Sequence, residues 1–126
     1  MRARARARAA VRWRRAVAAA AILKHQGVNA RILNATFIAP LDEAAIKKAA
    51  KETRGIVTVE EANISGGLGA AVASVLGSLD SDSRVPLRIV GTDDWSPTLS
   101  TEALYTHFGL TAENIAQQVH EVLSRD

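Results

Sequence analysis

Gly55-Ile56-Val57-Thr58-Val59-Glu60-Glu61-Ala62-Asn63-Ile64-Ser65-Gly66-Gly67-Leu68-Gly69-Ala70-Ala71-Val72-Ala73-Ser74-Val75-Leu76 is the segment from which the rest of the chain can be read. Its β-branched run Ile56–Val59 suits a buried strand. Two carboxylates mark the exit from the core, Ser65 and three glycines follow, and from Leu68 the apolar residues Leu68, Ala71, Val72, Val75 and Leu76 recur at helical spacing. The pattern is strand, glycine turn, helix. Gly66, Gly67 and Gly69 allow a tight turn and a close approach of the helix start to the sheet.

A glycine turn ahead of a helix also exposes N–H groups that can hold an anion. Ser65, Gly66, Gly67 and Gly69 are therefore candidate anion-binding residues. The sequence Ser-Gly-Gly-Leu-Gly matches neither the dinucleotide fingerprint nor the phosphate loop, and no Lys follows it. Close helix-on-strand packing is the expected role.

At 126 residues the chain is long enough for one domain with a substantial core. Hydrophobic residues make up 48% but aromatics only 4%, so the core must be built from Val, Ile, Leu and Ala. With no cysteine, disulfides and thiolate metal sites are excluded. No apolar run approaches the ~20 residues of a membrane span.

Charge is unevenly placed. Seven of the sixteen Lys/Arg fall in residues 1–15, at positions 2, 4, 6, 8, 12, 14 and 15, where there is no acid. The remaining nine basic residues face all thirteen acids, so the body carries −4 although the whole is +3. The alternation Arg2-Ala3-Arg4-Ala5-Arg6-Ala7-Arg8-Ala9 is formally strand-like, yet Ala and Arg both prefer helix and unpaired arginines are costly to bury. Residues 1–15 are thus expected to be a solvated extension, disordered or helical, outside the sheet and separate from a domain at 16–126. An Arg-rich arm binding nucleic acid through phosphates and an organelle transit segment are the competing readings. The transit reading lacks the expected serines, and the nucleic-acid reading lacks a reader motif.

Beyond the arginines the elements follow in order. Residues 9–26 read as a helix stopped by Gly27, with Lys24 and His25 in its last turn, where the dipole favours cations. Residues 29–38 read as a strand closed by Pro40. Asp42 caps a helix running to about Thr53, with Leu41 stapled onto Ile46. Leu79–Ser83 is a polar loop, 86–90 a short strand and 91–99 irregular. Thr101–Phe108 is a short helix ending at Gly109, and Thr111 caps a last helix running to about Ser124. Helices alternating with strands predict a parallel-sheet α/β fold in three layers.

No constellation makes a self-sufficient enzyme. Glu60 and Glu61 are adjacent and point to opposite sides of a strand, as do Asp93 and Asp94. His25, His107 and His120 lack ligand spacing, and Ser65 lacks the pattern of a nucleophile elbow.

Three blocks carry a resemblance: Asn34-Ala35-Thr36-Phe37-Ile38-Ala39-Pro40-Leu41-Asp42; Ile56-Val57-Thr58-Val59-Glu60-Glu61-Ala62-Asn63 with Gly66-Gly67-Leu68-Gly69; and Gly109-Leu110-Thr111-Ala112-Glu113-Asn114-Ile115. In this order and spacing the chain, from about Ala16 onward, resembles the C-terminal domain of transketolases. The family usually has His where Ala62 stands, and an aromatic-Gly-x-Ser-Gly turn where Trp95-Ser96-Pro97-Thr98-Leu99 stands.

The resemblance implies a non-catalytic domain or fragment, inactive alone, of a cytoplasmic, dimeric enzyme that moves two-carbon ketol units between sugar phosphates. Thiamine diphosphate and Mg would sit between the family's other two domains, so it assigns this chain no catalytic, cofactor or metal residue. The implied partners are the remaining transketolase domains or subunit, with neither nucleic acid nor membrane. The equivalent domain of deoxyxylulose-phosphate synthase or of the pyruvate dehydrogenase beta subunit, and an Arg-armed nucleic-acid binder, are the alternatives. The family's sheet has a central strand ahead of the first helix, and here the Arg-Ala alternation takes its place. That strand is therefore expected to be missing, leaving an unpaired edge that recruits other chains.

Overall fold

The computed structural model describes residues 4–9, 13–33, 42–92 and 99–124. The elements are β1 (Arg4–Ala9), α1 (Trp13–His25), β2 (Asn29–Ile32), α2 (Glu43–Glu52), β3 (Gly55–Asn63), α3 (Leu68–Gly77), a 3-10 turn (Ser81–Ser83), β4 (Leu87–Thr92), α4 (Thr101–His107) and α5 (Ala112–Leu123). Residues 34–38 of the expected second strand, Pro40, the Leu41 staple and Asp93–Thr98 lie outside the described residues.

The sheet has four strands in the order β2-β1-β3-β4, and every neighbouring pair is parallel. Its centre corrects the sequence reading. Residues 4–9 form neither a helix nor a free extension but a strand paired on both edges. Arg4 to Ala7 register with Asn29 to Ile32, and Ala5 to Ala9 with Gly55 to Val59. The backbone accounts for this. Between two parallel strands, each N–H and C=O that β1 supplies satisfies a group that would otherwise be orphaned. The central strand expected to be missing is present, so β2 and β3 do not face each other across the association-prone gap that its loss would leave.

β3 shows the two-sided burial typical of parallel sheets, with every residue from Gly55 to Glu60 buried. On one face Val57, Val59 and Val90 pack with Ala16, Ala19 and Leu23 of α1 and with Ile115, Val119 and Val122 of α5. On the other, Ile56 packs with Ile46, Ala49 and Ala50 of α2 and Leu68, Val72, Val75 and Leu76 of α3. The result is a three-layer α/β/α sandwich, with α1 and α5 on one face and α2 and α3 on the other. At Gly55 a Cβ would collide with Val122 of α5, so the glycine sets how closely that helix approaches.

Caps follow the sequence signals. Asp42 accepts from Ala45 N (3.0 Å) and Thr111 from Asn114 N (3.2 Å), and Ser100 accepts from Ala103 N (3.3 Å) at the start of α4. Gly27 and Gly109 take φ of 79° and 70°, the left-handed conformation in which helices stop. Arg15 stacks on Tyr105, its guanidinium carbon 4.0 Å from the ring centroid, and donates to Leu110 O at 2.9 Å. These contacts tie α1 to the α4–α5 junction. Among the described residues no helix is long and apolar enough to cross a membrane.

Candidate functional site

In a doubly wound sheet, ligands bind beyond the carboxyl ends of the strands, where neighbouring strands send their helices to opposite faces. Here those strands are β1 and β3: α1 goes to one face and α3 to the other. The β3 side of this crevice consists of Glu60, the turn Ile64–Gly67 and the start of α3.

Gly69 makes the close packing expected of the glycines, whereas a Cβ on Gly66 would meet nothing within 4 Å. A Cβ on Gly69 would come within 2.5 Å of Ile89 Cγ2, so only glycine lets α3 seat against β4. Gly67, the N-cap residue of α3, makes no side-chain capping bond. The first turn is instead secured from the sheet: Glu60 Oε2 accepts from Gly69 N at 2.9 Å, although the residues are nine apart. Glu60 is only 2% exposed. A carboxylate at a helix N-terminus gains from the free N–H groups and from the positive end of the macrodipole.

Of the candidate anion residues, Ser65 and Gly66 are exposed while Gly67 and Gly69 are buried. The anion held at Gly69 is the chain's own carboxylate, and an external phosphate there would meet that negative charge. Glu60 Oε1 and the buried Thr58 Oγ1, two residues apart on one face of β3, have no hydrogen-bond partner among the described residues. Sequence reasoning missed this role by treating Glu60 only as half of an adjacent acid pair. The available signal was an acid closing a buried strand, followed by a helix whose N-cap position is glycine rather than Ser, Thr, Asp or Asn.

The histidines are kept apart. His25 ends α1, His107 packs edge-on to Phe108 with ring centroids 4.9 Å apart, and His120 Nε2 lies 2.5 Å from Gln26 Oε1. Among the described residues no three His, Cys, Asp or Glu side chains are grouped to hold a metal ion. Asp93 and Asp94 lie outside the described residues, as does the side chain of Glu61. At the start of α3, Gly69 N, one of the N–H groups that a diphosphate could use, is taken by Glu60 Oε2.

The described residues form a doubly wound α/β domain in which Glu60, on the β3 side of the crevice, secures the start of α3. The profile of the family "Transketolase, C-terminal domain" matches residues 11–115, and the chain belongs to that family. It is 41% identical over 111 residues to the 6-deoxy-6-sulfo-D-fructose transketolase subunit SqwH of Clostridium sp. (strain MSTE9), spanning 87% of this chain and 34% of that protein. With an apulose-4-phosphate transketolase protein of Phocaeicola vulgatus, itself one subunit of its enzyme, it shares 38% identity, covering 82% of this chain and 32% of the other. A 1-deoxy-D-xylulose-5-phosphate synthase of Synechococcus sp. (strain JA-2-3B'a(2-13)) is 41% identical over 80% of this chain and 15% of its own length.

Among solved structures, one described as a split gene transketolase, inactive beta4 tetramer, matches with a TM-score of 0.88 and 30% identity, covering 97% of this chain and 39% of the other. The chain thus spans about a third of the transketolase subunits it matches and less of the synthase.

Proposed function

We propose that this chain serves as the non-catalytic C-terminal domain of a transketolase-type enzyme, packing against the remaining domains or subunit to complete the assembly. The observation that carries this reading is the use made of Glu60. Among the described residues it is the one buried acid at the carboxyl end of the sheet, and its Oε2 accepts from Gly69 N to seat α3. On this reading the parent enzyme transfers two-carbon ketol units between sugar phosphates. Thiamine diphosphate and Mg²⁺, bound by its other domains, supply the carbanion chemistry, and the enzyme is a cytoplasmic dimer. The free-arm geometry on which nucleic-acid binding would rest is not supported, because Arg4–Ala9 is paired on both edges within the sheet.

The test is complementation. The pure chain, given thiamine diphosphate, Mg²⁺ and a ketose phosphate donor, is expected to show no turnover. Combined with the remaining domains of a split transketolase relative, it is expected to form a stable complex with ketol-transfer activity. Turnover by the chain alone, or failure to associate, would overturn the reading. The equal identity to a 1-deoxy-D-xylulose-5-phosphate synthase supports a second parent, which formation of that product by the reconstituted complex would identify.

A further inference from the structure

Along β3, Ile56 packs against α2 and α3, so strand alternation places Thr58 and Glu60 on that same face. The first turn of α3 lies over them. Thr58 is in register with Ile89 of β4, a Cβ on Gly69 would come within 2.5 Å of Ile89, and Gly69 N donates to Glu60 Oε2 at 2.9 Å. Thr58 and Glu60 are each only 2% exposed. Of their three side-chain oxygens, Glu60 Oε2 is paired, while Glu60 Oε1 and Thr58 Oγ1 have no hydrogen-bond partner among the described residues. A buried polar atom left unpaired costs its full desolvation penalty.

We propose that one internal water molecule is bound here, joining Thr58 Oγ1 to Glu60 Oε1 beneath the start of α3. The chemistry of the two atoms selects it. A carboxylate oxygen only accepts, whereas a hydroxyl carries a proton that needs an acceptor of its own. An ammonium, a guanidinium or a metal ion would satisfy the carboxylate and leave the hydroxyl proton without an acceptor. Water does both, donating to Glu60 Oε1 and accepting from the Thr58 hydroxyl. Spacing agrees. Alternate strand residues stand about 6.5–7 Å apart. A water with hydrogen bonds of about 2.8 Å on either side bridges about 5.5 Å, and the longer Glu60 side chain closes the difference. Glu60 is then held at both oxygens, by α3 at Oε2 and through the water by its own strand at Oε1. The water thereby positions the carboxylate that seats α3.

The experiment uses the whole chain. Magnetic relaxation dispersion of the water oxygen counts internal waters that exchange slowly with solvent. Thr58→Val, which keeps the side-chain shape and removes the hydroxyl, should show about one fewer than the parent. Thr58→Ser, which keeps the hydroxyl, should show the parent's number. Exchange of the Gly69 amide should quicken about two- to tenfold in Thr58→Val and stay unchanged in Thr58→Ser. Circular dichroism establishes that each variant is folded. If Thr58→Val is not, a high-resolution crystal structure of the parent chain supplies the test: an ordered water within hydrogen-bond distance of both oxygens is expected, and its absence would overturn the proposal. An unchanged count in Thr58→Val, or an equal loss in Thr58→Ser, would do the same. So would Gly69 exchange that quickens in Arg8→Gln, at the β1 position in register with Thr58, and not in Thr58→Val, since the donor would then come from the neighbouring strand.

Discussion

β1 and β3 lie side by side at the centre of the same sheet and reach that position by different means. β3 is written in Ile56, Val57 and Val59, each buried against helices on one face or the other. β1 is written in alternating arginine and alanine, falls outside the stretch matched by the family profile, and is specified by the ladders on its two edges. A strand can thus be fixed by what its neighbours' backbones require as well as by what its own side chains bury.

That contrast can be broken at the backbone. Ala7 sits mid-strand, in register with Ile32 and Val57. Ala7→Pro removes a donor from a central strand and should cost about 3 kcal/mol or more, seen as loss of the cooperative thermal transition. A silent Ala7→Pro would mean that β1 does not hold the sheet together in solution.

A smaller effect is expected in β3, where a side-chain change leaves the ladder intact. Val57, with no exposed surface, packs between α1 and α5. Val57→Ala should cost about 2 kcal/mol from lost burial and the cavity left behind, read from the midpoint of urea unfolding at unchanged slope.

Glu60 sharpens the comparison further, because it shows β3 supplying a cap as well as a core. Glu60→Ala should cost about 1–2 kcal/mol and speed exchange of the Gly69 amide. Glu60→Gln, which keeps an acceptor oxygen, should cost less. Equal effects from the two variants would show that neither the acceptor oxygen offered to Gly69 N nor the volume of the side chain contributes.

Much of this fold is legible in the sequence, for identifiable reasons. Asp42 and Thr111 announce helix starts because their side chains replace missing backbone partners, and Ile115, Val119 and Val122 mark a buried helical stripe. β1 is not legible because Arg and Ala carry no apolar signal, and its position follows from ladders with residues some twenty-five and fifty places further along the chain. The role of Glu60 is hidden for a related reason. Its partner is a backbone N–H, which no residue letter records, brought within reach by the turn and by the close seating that Gly69 permits.

The contacts that bind α1 to the α4–α5 junction also have a consequence in time. Arg15 and the carbonyl it grips at Leu110 are 95 residues apart, and the core beneath α1 is finished by Ile115, Val119 and Val122. At translation speeds of about 5–20 residues per second, α1 waits about 5–20 s for its packing partner. Throughout that interval Ala16, Ala19 and Leu23 have nothing from α5 to cover them, which makes this face the one most in need of a chaperone while the chain is being made.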